Sequence, residues 1–206
     1  MDIDKQIFTD YCSLSSKVVD VGAQSGEFLK IGNETMKGGK IFSIEPDIKY
    51  LDKLKEIQPL NGNEIHIIET ACGSEKKQSL LYNQGTGCMV DIDVKKKEKG
   101  IMVDVDTLDN LIPFEVDFIK VDVEAYEYEV ILGSKTHLER GTPFTVEIHD
   151  KWLREIGRSK DDIINLFKEY GYYDYFLYRP KHQLKYADLY YYYFSKQKIN
   201  NLQWQK

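Results

Sequence analysis

Lys17-Val-Val-Asp-Val-Gly-Ala-Gln-Ser-Gly26 joins a short apolar run to a turn bounded by two glycines. A run of this length that does not alternate with polar residues reads as a strand buried on both faces, the kind found in parallel sheets. Gly22 permits a sharp turn and the close approach of a ligand, and Gly26 lets the following helix begin tightly against the sheet. The helix is expected over about residues 26–36, where Gly38 and Gly39 stop it.

The same alternation continues downstream. Residues 40–44 (KIFSI) form a second expected strand, and Pro46 suits the first turn of a helix whose apolar face is Ile48, Leu51 and Leu54. Residues 64–70 read as a third strand. Residues 73–100 lose periodicity and become rich in Gly, Lys and Asp, which marks a variable loop or insertion before a short strand at 101–105. A buried strand at 116–121 leads to a helix over about 124–132, and 144–148 is another strand. Ser159 and Asp162 open a helix with Ile163, Ile164, Leu166, Phe167 and Tyr170 at 3.6-residue spacing. The aromatic runs 172–178 and 189–194 close the chain as antiparallel strands, because the link between them is too short for a helical crossover. The reading is an α/β fold, a doubly wound and mostly parallel sheet with an antiparallel edge. It takes residues 1–206 as one domain with a core at about 17–194.

Composition narrows the partners. The chain has 206 residues, and its 28 Lys and Arg against 34 Asp and Glu give a net charge of −6, which disfavours nucleic acid and anionic membrane. The charge is uneven: residues 101–130 carry nine acids against the single cation Lys120. Tyrosine is uneven too, with ten of 15 between Tyr170 and Tyr193. Cys12, Cys72 and Cys88 are widely spaced, without metal-finger or disulfide patterning, and read as reduced thiols. The first residues lack the basic and then apolar pattern of a secretion signal, so a cytoplasmic location is expected.

In such a sheet, ligands bind at the carboxyl ends of the strands near the point where strand order reverses. The second strand ends in Glu45, 23 residues after Gly22, where a carboxylate accepts both hydroxyls of a ribose. The glycine turn lacks the central glycine that a pyrophosphate needs and has Asp20 beside it, an awkward neighbour for phosphates. A cationic adenosine cofactor without phosphate, S-adenosylmethionine, suits it better. Asp122 and Glu124 leave a further strand at this end of the sheet. Glu127 and Glu129 are accounted for as acids at the start of a helix. Glu147 and His149 lie two apart on one side of a neighbouring strand.

DVGAQSGEF, FSIEPD, ETACGS, VDTLDNL, VDFIKVDVEAYEYEVILGS and TVEIHD, in this order over about residues 17–178, resemble the FkbM family of S-adenosylmethionine-dependent methyltransferases. The resemblance implies a seven-stranded, Rossmann-like class I fold and methyl transfer to a hydroxyl of a sugar, a glycan moiety or another small molecule. It implies that Asp20, Gly22, Ala23 and Gly26 line the methionine half of the cofactor. Glu45 and Pro46 would hold the ribose, with Thr70, Ala71 and Cys72 beside the adenine. Asp122, shared with the cofactor, would face the reaction centre together with Glu124, Glu147 and His149. The family usually carries Asn where this chain has Gln24 or Ser25, and Gly where it has Ala125.

Among these groups His149 is the expected general base, because its unperturbed pKa of about 6.5 lies near neutrality. Glu147 would orient it or hold the acceptor hydroxyl. No metal is assigned, but Asp122, Glu124, Glu147 and His149 could alternatively take a hard divalent ion, Mg²⁺ before zinc. A rival reading is a nucleic-acid ribose methyltransferase, supported locally only by Lys95, Lys96, Lys97 and Lys99. Another is a binding-only scaffold. The tyrosine cluster reads as half-buried closing strands, or as an aromatic wall for an acceptor sugar or a second copy of the chain.

Overall fold

The computed structural model describes residues 3–14, 17–83, 88–90, 99–178 and 188–199. Lys95, Lys96 and Lys97 lie outside them, as do Pro180 and the side chain of Cys88.

The chain begins with α1 (Ile3–Leu14), then β1 (Lys17–Val21), α2 (Glu27–Thr35), β2 (Lys40–Ile44), α3 (Ile48–Lys55) and β3 (Glu64–Ile68). The insertion follows as β4 (Ala71–Cys72), β5 (Lys77–Asn83), β6 (Cys88–Val90) and β7 (Ile101–Asp106). The second half runs α4 (Leu108–Leu111), β8 (Phe118–Val121), α5 (Glu127–Leu132), α6 (Lys135–Arg140), β9 (Phe144–His149), α7 (Asp150–Glu155), α8 (Lys160–Glu169), β10 (Tyr173–Tyr178) and β11 (Leu189–Ser195).

Seven strands form the main sheet in the order β10-β11-β9-β8-β1-β2-β3. β3, β2, β1, β8 and β9 are parallel, and β11 runs antiparallel to both of its neighbours, β9 and β10. The chain winds outward from β1 to β3 and then returns to β8 on the other side of β1, so the order reverses between β1 and β8. Val18, Ile41 and Phe118 pack with residues of α1, α2 and α3, whereas Val19, Val21 and Val121 pack with residues of α4 to α8. A strand covered on both faces has no polar side to show, which is why KVVDV does not alternate.

The structure corrects several expectations. Residues 73–100 are not simply a loop: β5 and β6 build, with β4 and β7, a second sheet ordered β4-β7-β5-β6. Pro46 precedes α3 rather than entering its first turn, since Asp47 is the cap and accepts the amide of Lys49. Ile48 at the start of α3 is exposed, and only Leu51 and Leu54 of the expected face are buried. Helix α5 begins three residues later than expected because Glu124 and Ala125 adopt left-handed backbone, φ 55° and 74°. The capping box of α8, Ser159 with Asp162, forms as the sequence implied. No helix of the described residues is long and apolar enough to cross a membrane.

Candidate active site

The carboxyl ends of β1, β2 and β8 enclose a cleft lined by Gly22, Gln24, Glu45, Pro46, Tyr50, Thr70, Ala71, Cys72, Asp122, Glu124 and Tyr126. Its floor is a contact no side chain could share. A Cβ on Gly22, which has φ +82°, would lie 1.7 Å from the Asp122 carbonyl oxygen. The Asp122 amide donates to the Val21 carbonyl at 3.0 Å, closing the two strands together beneath the opening.

Glu45 is buried at the end of β2 and fixed by two backbone donors. Its Oε2 accepts the Gln24 amide and its Oε1 the Asp47 amide, each at 2.9 Å. Burial pushes its carboxyl up to about 7, against the pull of those two amides. Each oxygen keeps a further lone pair for a ligand hydroxyl. Gln24 itself sits at φ 43°, in the left-handed region that few side chains adopt readily.

Asp20, Ala23 and Gly26 are not on the cleft wall. Successive strand residues point to opposite faces, so Asp20 shares the side of Val18 and lies under α1 and α2. There it is fully buried, with its Oδ1 3.0 Å from Nζ of Lys120. Lys120 also approaches Asp122 at 3.6 Å, donates to the Gly22 carbonyl at 3.3 Å and sits 4.6 Å from the centre of the Phe28 ring. Burial alone would lower the Lys120 pKa, but Asp20 and Asp122 outweigh it and hold the ammonium charged. The single cation of the acid-rich segment is thus the tie beneath the β1–β8 junction. Gly26 serves packing instead: a Cβ there would meet Leu54 and Ile57 at 2.8 Å.

The remaining polar groups gather beside the cleft at the end of β9. His149 Nδ1 lies 2.7 Å from Glu127 Oε1, and its Nε2 lies 3.1 Å from Glu124 Oε2 and 3.7 Å from Glu147 Oε1. Trp152 stacks on the imidazole, with centroids 5.2 Å apart and planes 5° apart. Burial would lower the pKa of His149, but Glu127 and Glu124 reverse that and raise it well above the ordinary value. Both ring nitrogens face carboxylates, the setting that favours an imidazolium.

The same groups form a candidate ligand set. Asp122, Glu124 and His149 each offer a donor atom within 4.8 Å of one another. A ligating histidine is neutral, whereas in this fold both ring nitrogens of His149 face carboxylates.

Glu147 lies two residues before His149 on β9. Burial and the neighbouring Asp122 push its carboxyl up, to about 8, against the pull of His149, Tyr191 and Lys120. Asp122, Glu124 and Glu147 have side chains 23%, 13% and 16% exposed, and the first two line the cleft, while His149 and Glu127 are buried behind them. Glu127, Lys120 and Tyr191 were missed in the sequence. Only the position of Lys120 as the one cation among nine acids was a signal.

A sheet of this order, with a glycine turn at the switch point and a buried carboxylate ending its second strand, is the Rossmann-like fold of class I methyltransferases. The chain belongs to the methyltransferase FkbM domain family, whose model matches residues 20–173. Solved structures of the same fold include a methyltransferase FkbM from Methylobacillus flagellatus KT, with TM-score 0.61 and 20% identity over 87% of this chain and 43% of that one. This chain thus spans less than half the length of that relative. An rRNA methylase from Streptococcus thermophilus has TM-score 0.56 and 13% identity over 95% of both chains. A Streptococcus mutans protein in complex with S-adenosylhomocysteine has TM-score 0.52 and 14% identity over 93% of this chain and 97% of that one. At such identities the likeness is one of fold. No curated protein matches the sequence.

Proposed function

We propose that the chain transfers a methyl group from S-adenosylmethionine to a hydroxyl of a small molecule, a sugar or glycan moiety. The observation that carries this reading is the placement of Glu147, with Asp122 and Glu124, at strand ends adjoining the cleft that Gly22 and Glu45 shape.

Bound in that cleft, S-adenosylmethionine would supply a methyl group activated by its sulfonium, with the sulfur as the leaving group for an acceptor oxygen. Glu45 receives the two ribose hydroxyls. Gly22 brings the backbone close to the methionine half, and Asp122 presents negative charge to its cationic groups. Glu147 accepts the proton that the acceptor hydroxyl releases, a contribution of about 10²–10⁴-fold for a well-placed base. His149 fixes Glu124 and steadies Glu147 without exchanging a proton. A rim of three carboxylates accepts several hydrogen bonds at once, which suits a polyol better than an apolar or anionic acceptor.

The test is a transfer screen over sugars, nucleotide sugars, lipids and RNA that reads S-adenosylhomocysteine release. A sugar hydroxyl is expected to be methylated, Glu147→Gln to lose the transfer while retaining cofactor affinity, and exhaustive chelation to leave the rate unchanged. Transfer to RNA alone would replace the acceptor class, and cofactor binding without transfer to anything would replace the enzyme reading.

A further inference from the structure

We infer that the open groove beside the cofactor cleft, lined by Lys77, Glu129 and Arg158, is a second sugar subsite, so that the acceptor is a neutral glycan of two or more units. The inference rests on the reading of the acceptor as a sugar hydroxyl and says what is attached to that sugar.

The groove has a volume of about 530 Å³, within the range of small-molecule sites. Val90 and Tyr126 line both the groove and the cleft, so the two spaces adjoin along one wall. These two residues are buried and pack with Ala71, Leu81 and Val105, which ties the wall to the second sheet. Tyr126 stands two residues after Glu124, which lines the cleft, and three before Glu129, its neighbour one helical turn along α5. A ligand whose reacting hydroxyl lies at Asp122 and Glu124 therefore extends past Tyr126 into the groove.

The turn after α7 supplies another wall. The Gly157 amide donates to the Arg154 carbonyl at 3.2 Å and the Arg158 amide to the Leu153 carbonyl at 2.9 Å, so this turn is fastened to its own helix. The Arg158 guanidinium lies over the Tyr128 ring, 4.1 Å from its centre, and its Nη2 is 3.8 Å from Glu129 Oε1. A guanidinium braced in this way presents several N–H donors in a fixed plane.

The chemistry of the lining selects the ligand. Among the described residues of the groove, two cations, Lys77 and Arg158, stand with two acids, Glu75 and Glu129, which leaves no net formal charge. Lys77 Nζ lies 4.0 Å from Glu75 Oε1, so both cations have an acid close by. A phosphate or carboxylate would gain from the cations and lose to the acids. Sugar hydroxyls both donate and accept, and use both kinds of partner. Ile156, 39% exposed, adds apolar surface for the face of the ring.

The test is a set of ligand-observed NMR titrations on protein saturated with S-adenosylhomocysteine. The probes are neutral hexoses, deoxyhexoses and N-acetylhexosamines, the disaccharides built from them, and the same disaccharides bearing a phosphate or a carboxylate. A neutral disaccharide is expected to bind at least about tenfold more tightly than its monosaccharides. Arg158→Gln should abolish that gain, since a lost charged donor is worth about tenfold or more, and leave monosaccharide affinity where it was. Glu129→Gln should remove part of the same gain and takes over should Arg158→Gln not fold. Arg154→Gln is the control, because that guanidinium pairs with Asp150 instead.

Equal affinity for mono- and disaccharides, a gain that survives both Arg158→Gln and Glu129→Gln, an equal loss in Arg154→Gln, or a gain confined to the anionic sugars overturns the subsite and leaves the sugar reading standing. Binding of no sugar of either length while S-adenosylhomocysteine still binds removes the sugar reading, and the subsite with it.

Discussion

Oε1 of Glu127 is shared by His149 and Ala125: it accepts Nδ1 of His149 at 2.7 Å and the Ala125 amide at 2.9 Å. One buried carboxylate thereby ties the end of β9 to the left-handed turn that follows β8. The acid at the start of α5 serves this junction more than it serves the helix dipole. Glu127→Ala removes one partner of a buried pair and is expected to cost about 3–5 kcal/mol in a thermal or urea melt. The milder Glu127→Gln should lower methyl transfer by at least about tenfold as His149 loses its charge partner. Calorimetry should find affinity for S-adenosylhomocysteine nearly unchanged, because Glu127 is absent from the cleft wall.

His149 also makes a prediction about pH. Its pKa in the fold lies well above that of the unfolded chain. Such a group contributes stability that is complete below the unfolded value of about 6.5 and is lost as pH rises through the folded value. The difference in melting temperature between the wild type and His149→Gln should therefore be widest near pH 6 and shrink on the alkaline side. A gap that stayed constant across that window would show that the ring is neutral in the fold.

Glu45 titrates where cofactor binding can report it. Burial raises its carboxyl to about 7, and only the anion accepts both ribose hydroxyls. Affinity for S-adenosylhomocysteine is expected to weaken as pH falls below about 7, by up to tenfold per unit. Glu45→Gln should bind weakly at every pH and lose the slope. Equal binding by the two proteins at alkaline pH would sink the ribose assignment.

Gly22 admits no side chain. Ala at this position faces the Asp122 carbonyl at 1.7 Å in a left-handed conformation, so β1 and β8 must part. Overpacking of about 1–3 kcal/mol adds to backbone strain of about 1–2 kcal/mol. Gly22→Ala should lower the melting temperature markedly and abolish cofactor binding even where the protein still folds.

Ala125 tests a smaller balance. It is buried at φ 74°, so Gly would relieve about 1 kcal/mol of strain and lose about 0.8 kcal/mol of methyl burial. Ala125→Gly should melt within a few degrees of the wild type and keep its transfer rate. Ala125→Val, β-branched in the same conformation, should be destabilised by about 2 kcal/mol or more.

Much of the fold was legible in the sequence because burial on two faces leaves a local trace. KVVDV, KIFSI and FIKV are too apolar and too short to be anything but central strands, and Ser159 with Asp162 announces α8 through chemistry confined to one turn. What escaped was built by partners distant in the chain. β5 and β6 look like polar loop because, of their described side chains, Leu81 and Val90 are the buried apolar ones. Helix α1 buries Ile7, Phe8 and Cys12 and finds its place against α2, β1, β8 and β10.

The candidate site divides along the same line. The sequence by itself determined which residues stand at the strand ends, Gly22, Glu45, Asp122, Glu124, Glu147 and His149, because strand period and the switch-point rule are local and topological. Only the tertiary structure decided their ionisation and roles. Charge state depends on what lies within a few ångströms, and those neighbours come from other elements: Glu127 from α5 for His149, Lys120 from β8 for Asp20, Tyr191 from β11 for Glu147. Proton affinity is a property of an environment that no single segment contains.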